Sequence, residues 1–186
     1  MTGRLIVLTG PSGVGKGTLL KSLLESQPEL YLSVSATTRL PRAGEVDGVD
    51  YYFYHRDAFE AAIEASEFLE WAEFAGNYYG TPIVPVKRAV DGGRSIVLEI
   101  ELQGARQVAK IFPEAMRIFI LPPSIAELEQ RIRDRGTDSE AAILNRLAQA
   151  TGEIAAANEF DYQIVNDDFS IALEELEELV SNGIKG

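Results

Sequence analysis

The residues best suited to chemistry lie near the N-terminus, in the stretch Gly10-Pro11-Ser12-Gly13-Val14-Gly15-Lys16-Gly17-Thr18. An apolar run precedes this stretch and a helical pattern follows it, which is the order of a phosphate-binding loop. Glycines let successive N–H groups point at one anion, and the helix start adds partial positive charge. We therefore expect a nucleotide site in which Lys16 contacts the β- and γ-phosphates of the donor. The alternative is a structural glycine turn with a solvated lysine.

The hydroxyl that usually follows the loop lysine, where it binds Mg²⁺, is displaced by one residue in this chain. Gly17 takes its position and Thr18 comes next. The Gly-Lys-Gly-Thr variant resembles the loops of nucleoside monophosphate kinases more than those of GTPases or motor ATPases. We expect Thr18 to reach Mg²⁺ largely through water.

The composition limits the class of protein. The chain has 186 residues, of which 46% are hydrophobic, enough for the core of one domain. The net charge of -12 argues against nucleic acid or an anionic membrane surface as a partner. The absence of cysteine excludes disulfides and cysteine metal sites. No apolar run reaches about 20 residues and no secretory pattern is visible, so we expect a soluble cytoplasmic protein of undetermined oligomeric state.

Short apolar runs alternate with helical patterns along the whole chain, which predicts an α/β fold with a doubly wound parallel sheet flanked by helices. The predicted strands are 5–8, 31–34, 50–54, 68–74, 95–100, 117–121 and 162–165. The predicted helices are about 18–26, 56–65, 85–91, 102–110, 124–135, 140–158 and 170–181, and residues 76–81 are predicted to form a turn. Ligands of such folds bind at the carboxyl ends of the strands, where the glycine loop lies.

The polar segment 35–81 has the residues needed to hold a phosphoryl acceptor. Arg39 and Arg42 could grip its phosphate, because guanidinium forks match phosphate oxygens. Tyr51 and Tyr79 could add hydroxyl donors. Packing on a strand face is the alternative for these tyrosines and our preferred interpretation for the neighbouring tyrosines 52 and 78.

A carboxylate such as Glu70 can accept hydrogen bonds from N1–H and the N2 amine of guanine, whereas adenine has no N1–H. Such matching discriminates strongly between bases. Ser35 and Thr81 are candidates for the remaining base edge. Spacing alone favours a solvated strand carboxylate at position 70.

A second group of arginines lies at positions 131, 133, 135 and 146. A mobile segment with these side chains could close over two nucleotides and neutralise the transferring phosphoryl group. The alternative is a charged helix face paired with Asp134 and Glu140. His55, the only histidine, is interpreted as structural.

Several long motifs, in order, make the chain resemble the guanylate kinase family: GPSGVGKGT, SVSATTRLPRAGEVDGVDYYF, FLEWAEFAGNYYGT, LEIELQG, RGTDSEAAILNRL and IVND. The resemblance implies a P-loop NTPase-type sheet and an ATP:GMP phosphotransferase requiring Mg²⁺. It implies one domain with a core (1–34, 82–133 and 147–186), a GMP-binding segment (35–81) and a lid (134–146).

The resemblance also implies roles for single residues. Lys16 would contact donor phosphates and Asn166 the adenine side. Arg135 and Arg146 would act on the transferring phosphate. The GMP-binding set would be Ser35, Arg39, Arg42, Tyr51, Glu70, Tyr79, Thr81 and Glu101. Glu101 stands where the family usually has aspartate, and its side chain is one methylene longer.

Two other functions stay open. Guanylate-kinase-like domains of scaffold proteins share this fold but have lost catalytic features and bind peptides, and the intact Lys16 and glycine loop argue against that function. The chain could also be a related small kinase with another acceptor. Glu70 is the residue that discriminates between a GMP kinase and such a kinase.

Overall fold

The core of the protein is a five-stranded parallel sheet, whose strands lie side by side in the order 31–32, 96–99, 5–9, 116–121 and 162–165. The computed structural model describes residues 3–74, 76–134, 136 and 139–185. The strands are β1 (Leu5–Thr9), β2 (Tyr31–Leu32), β7 (Ile96–Glu99), β8 (Met116–Leu121) and β9 (Tyr162–Val165). All five residues of β1 are buried, as expected for a central strand covered on both faces. The predicted fold class is confirmed.

Helices cover both faces of this sheet. They are α1 (Lys16–Ser26), α3 (Ile83–Asp91), α4 (Leu102–Ile111), α5 (Ile125–Asp134), α6 (Glu140–Ala155) and α7 (Phe169–Lys185). Alternate residues of β1 point to opposite faces, so Ile6 and Leu8 pack with α1, α5, α6 and α7, whereas Leu5 and Val7 pack with α3 and α4. None of the described helices is long and apolar enough to cross a membrane.

A second sheet of four strands, in the order β4-β3-β6-β5, is formed by residues between β2 and α3. Its strands are β3 (Ala36–Thr37), β4 (Tyr52–Phe53), β5 (Phe68–Phe74) and β6 (Asn77–Pro82), and α2 (Arg56–Glu64) packs on it. The predicted turn over 76–81 is wrong, because most of it is strand β6, paired antiparallel with β5 and β3. Within 76–81, only Gly76 is a turn residue.

The second sheet has its own small aromatic core. Phe59 of α2 stacks on Phe68 and Tyr78, with ring centroids 4.3 and 5.3 Å apart. Tyr52 is half-buried against the same cluster. Tyr52 and Tyr78 therefore pack on the sheet, as predicted, while Leu69 of β5 packs into the main core.

Helices α5 and α6 meet at a short polar connection. The Ser139 hydroxyl accepts a hydrogen bond from the Ala142 N–H and caps α6. Arg133 joins the helices through a fork to Glu140, with both nitrogen–oxygen distances 2.7 Å, and also pairs with Glu129. Helix α6 ends at Ala155, earlier than predicted, and a 3₁₀ turn follows. Arg135, predicted to be catalytic, lies outside the described residues.

Candidate functional site

The glycine loop connects β1 to α1 at the carboxyl edge of the main sheet. Gly13 and Gly15 have φ angles of 92° and 100°, the left-handed region that glycine adopts without strain. The half-buried Lys16 donates through Nζ to the backbone oxygens of Gly10 and Pro11, at 2.5 and 3.2 Å. The ammonium group is thus folded over the loop, at the helix N-terminus that favours an anion. Ser12, Gly17 and Thr18 are exposed to solvent around it.

Asn166 follows β9 and contacts the glycine loop through its side chain. Its side chain is buried and donates through Nδ2 to the Val14 backbone oxygen at 2.7 Å. A Cβ at Gly15 would lie 2.6 Å from this nitrogen, so the amide occupies the space that a side chain at position 15 would need. Arg131 of α5 donates to the Asn166 backbone oxygen at 2.9 Å. The loop is therefore tied to β9 and α5.

Replacing Asn166 with aspartate places a carboxylate oxygen against the Val14 carbonyl instead of a donor. We expect the dissociation constants of ATP and of tripolyphosphate to rise by about tenfold, the loss typical of one buried hydrogen bond. Calorimetry with both ligands checks this, because a contact to adenine alone would weaken only ATP. The matched control is Asn158→Asp, since exposed Asn158 uses its oxygen only as an acceptor from Gln163.

Arg39, Tyr51 and Tyr79 lie next to one another on the second sheet and its adjoining loop. The Arg39 guanidinium lies 5.3 Å from the Tyr51 ring centroid, and the two tyrosine rings meet edge to face at 6.4 Å. Arg39 also forms a two-bond fork with Glu45. Arg42 is exposed in the same loop and donates its backbone N–H to Glu45. Glu45 was not among the predicted site residues.

Glu70 is buried rather than solvated, contrary to the interpretation that spacing alone favours. It lies opposite Thr81 in the β5–β6 pair, and the Thr81 hydroxyl donates to its Oε1 at 2.6 Å. Burial raises the pKa of Glu70 to about 7, with a smaller contribution from the charge of Glu101, against the opposing effect of the Thr81 hydrogen bonds. A buried carboxylate with one satisfied oxygen favours a ligand that donates hydrogen bonds.

Gly104, in the first turn of α4, packs against the Glu70 carboxylate. A Cβ at position 104 would lie 2.8 Å from Glu70 Oε2, so the absence of a side chain there lets the carboxylate keep its position. We expect Gly104→Ala to raise the KM for GMP by about tenfold and to leave the KM for ATP unchanged. Steady-state kinetics check this, and the effect should shrink in a Glu70→Gln background because the two residues touch. Additive effects would contradict it.

A cleft of about 820 Å³ lies between the second sheet and the residues at the carboxyl end of β7. Five predicted site residues line it: Ser35, Tyr51, Glu70, Tyr79 and Glu101. Thr81 lines a smaller adjoining cavity of about 160 Å³ that also contains Ser35 and Tyr51. The structure thus brings together most of the predicted acceptor residues, but Arg42 is exposed at the surface.

Helix α6 forms the remaining wall of the cleft with Gln149, Gly152 and Glu153. Arg146 lies one helical turn before Gln149, on the same face, and is half-buried. The pKa of Glu153 is raised by burial, opposed by the charge of Lys16 and reinforced by that of Glu101. The charges of Lys16 and Glu101 therefore both reach Glu153. The sequence analysis missed it, although its spacing of seven from Arg146 places both on one helix face.

Comparison with known proteins agrees with this arrangement. The guanylate kinase family model matches residues 2–183. A guanylate kinase of Trichormus variabilis is 65% identical over 95% of this chain and 88% of its own length. That of Synechocystis sp. is 61% identical over 96% of this chain and 93% of its own length. The crystal structure of guanylate kinase from Anaplasma phagocytophilum, 34% identical, superposes with a TM-score of 0.77 over 100% of this chain and 88% of that one. The chain belongs to the guanylate kinase family.

Proposed function

We propose that the protein transfers the γ-phosphoryl group of ATP to GMP, giving ADP and GDP for purine nucleotide metabolism in the cytoplasm. The observation that carries this proposal is the buried Glu70 carboxylate, bonded by Thr81, in a cleft that is also lined by Glu99, whose carboxylate lies beside Gly17 of the glycine loop. The glycine loop suits a triphosphate, and the Glu70 side of the cleft suits a base with two adjacent N–H donors. Family membership supports the same reaction.

The donor is proposed to bind along the glycine loop. The backbone N–H groups of residues 10–18 would surround the phosphates, and Lys16 would exchange its bonds to Gly10 and Pro11 for bonds to the β- and γ-phosphate oxygens. This exchange needs no distant movement, because the ammonium already lies over the loop. Asn166 would hold the loop in shape and lie at the adenine side.

The acceptor is proposed to bind with its phosphate at Arg39, Arg42, Tyr51 and Tyr79. Ionised Glu70 would accept hydrogen bonds from guanine N1–H and N2–H, while Thr81 and Ser35 would meet the rest of the base edge. Glu101 lines the same cleft, and its longer side chain would contact the guanine end or the region near the metal. Adenine would leave the Glu70 carboxylate facing a lone pair, which opposes binding.

Mg²⁺ is proposed to accompany ATP, since oxygen ligands of the kind it prefers lie beside the loop. The Glu99 carboxylate oxygens are 3.7 and 3.9 Å from the position that a Cβ at Gly17 would occupy, and Thr18 follows in the first turn of α1. No three carboxylate or histidine side chains form a metal cage within the described ranges. The donor phosphates and water would therefore supply most of the ligands, with these residues contributing from outside. The ion supplies neutralising charge for the β- and γ-phosphates.

The chain is proposed to work as a core (1–34, 82–133 and 147–186), a GMP-binding segment (35–81) and a lid (134–146). The second sheet carries its own aromatic core, which suits a segment that moves as a unit. Arg146, and Arg135 outside the described residues, would neutralise charge on the transferring phosphoryl group as the cleft closes. Closure would exclude water from the transfer.

The test is ADP formation from Mg²⁺-ATP with GMP, AMP, CMP and UMP supplied separately. Turnover with GMP alone is the expected result. Turnover with another monophosphate would keep the kinase reaction and overturn the guanine assignment. GMP binding without any turnover would instead favour a catalytically silent binding module.

A further inference from the structure

Glu45 organises both arginines of the loop that follows β3. Its side chain is only 19% exposed although the loop around it is polar and largely exposed. Oε1 accepts from Arg39 Nη2 at 2.8 Å, and Oε2 accepts from Arg39 Nη1 at 3.0 Å and from the Arg42 backbone N–H at 2.7 Å. The Glu45 carboxylate therefore holds both the Arg39 side chain and the Arg42 backbone.

The pattern of these bonds decides which edge of Arg39 stays available. A guanidinium group has five N–H donors arranged as two forks, an end fork of Nη1 and Nη2 and a side fork of Nε and Nη2. Glu45 takes the end fork, and the second Nη1 hydrogen bonds the Leu40 backbone oxygen at 2.8 Å. No carboxylate or carbonyl group of the described residues bonds the side fork, which lies on the side of the Tyr79 hydroxyl, so a second oxyanion can meet Arg39 and Tyr79 together.

The surroundings of Arg39 hold its plane in place. The guanidinium carbon lies 5.3 Å from the Tyr51 ring centroid and 5.9 Å from that of Phe53, so the rings limit its rotation. Asp50 accepts from the Val46 N–H at 2.7 Å and Asp47 from the Phe53 N–H at 2.9 Å, and these bonds fix the loop that carries Glu45. Such fixed supports favour precise placement of a ligand.

We propose that Glu45 is a positioning residue for the acceptor phosphate: it holds Arg39 so that the Nε–Nη2 fork receives that phosphate beside Tyr51 and Tyr79. This inference rests on the proposed function and deepens it. Arg39, Arg42 and Glu45 together carry one net positive charge, which still attracts a phosphate dianion. The competing interpretation is a latch, in which Glu45 occupies the place of the phosphate and the substrate must displace it.

The experiment compares Glu45→Gln with the wild type in calorimetric GMP titrations and in steady-state kinetics. A glutamine cannot accept both guanidinium bonds, so we expect the KM and dissociation constant of GMP to rise roughly 10- to 100-fold. The KM for ATP should stay within about twofold, which a general loss of folding would not give. Glu64→Gln, which removes an exposed carboxylate of α2 in the same segment, is the matched control. Glu45→Asp, which keeps the charge on a shorter side chain, should give an intermediate loss if the glutamine variant does not fold.

A second readout separates positioning from a latch. In the wild type, addition of GMP, but not of guanosine, should shift the ¹⁵N–¹H signal of Arg39 Nε and slow its exchange with water. Unchanged or tighter GMP binding by Glu45→Gln, or an Nε signal insensitive to GMP, would overturn the inference. Absence of any GMP binding by the wild type would overturn the proposed function together with it.

Discussion

Replacing Lys16 with alanine is expected to lower kcat by at least about 10³-fold while the protein still folds. Phosphoryl transfer depends on positioning and on neutralising charge that spreads over the phosphate oxygens. The Lys16 ammonium is held over the loop by the Gly10 and Pro11 backbone oxygens, so it needs little reorganisation to meet the donor phosphates. Its half-buried position means that the two carbonyl groups can take water in its place.

The matched control for this variant is Lys21→Ala on the same helix. The Lys21 side chain is 78% exposed, and its nearest carboxylate, that of Glu25, is 4.0 Å away, so its loss should change neither kcat nor stability measurably. Stopped-flow phosphoryl transfer and thermal unfolding of both variants provide the measurement. A Lys16→Ala protein that unfolds, or one that keeps its full rate, would contradict the role given to the ammonium.

The sequence analysis succeeded where the signal is local. The glycine spacing predicts the phosphate-binding loop, and the apolar run at 5–8 predicts a buried strand, because both features depend on neighbouring residues only. The same reasoning missed strand β6. Its residues pair with β3, some 40 positions earlier, and a run containing Gly76 and Gly80 looks like a turn until that partner is known.

The burial of Glu70 could not be predicted for a related reason. Alternation within β5 places it on one face of a strand, but the pairing with Thr81 and the packing of Gly104 come from two other elements. Glu45 and Glu153 were missed likewise, since an acidic residue in a polar loop or on a helix has no distinctive pattern. The charged groups that act on them, Arg39 and Lys16, are brought to them only by the fold.

The second large expected effect concerns the base. Glu70→Gln should lower kcat/KM for GMP by about 10²–10³-fold and leave the KM for ATP unchanged, because an amide cannot accept from both N1–H and N2–H of guanine. Acceptor titrations at fixed ATP check this. Glu67→Gln, which changes an exposed carboxylate just before the same strand and outside the cleft, is the control. Equal losses for GMP and ATP would sink the assignment of Glu70 as the guanine reader.

The raised pKa of Glu70 predicts how this loss depends on pH. The pKa is about 7 in the ligand-free protein, and guanine needs the ionised form, so GMP affinity should weaken as the pH falls below about 7. The loss should approach tenfold per pH unit. The GMP phosphate itself titrates near pH 6 and would affect every variant. The slope attributable to Glu70 is therefore the part that disappears in Glu70→Gln, and identical slopes in the two proteins would contradict it.

The raised pKa of Glu70 also makes the stability of the folded protein depend on pH. The pKa of Glu70 is raised by folding from about 4.5 to about 7, so the folded state favours the protonated form. Its stabilising contribution is complete below pH 4.5 and is lost as the pH rises through 7. The loss is on the order of 3 kcal/mol.

Glu70→Gln keeps an oxygen for the Thr81 hydroxyl and has no charge to bury. The melting temperature of Glu70→Gln minus that of the wild type should therefore be larger at pH 8 than at pH 5. If this difference in melting temperature is the same at both pH values, ionisation of the Glu70 carboxylate does not destabilise the folded state. The expected result would mean that selection for guanine keeps a destabilising charge in the cleft.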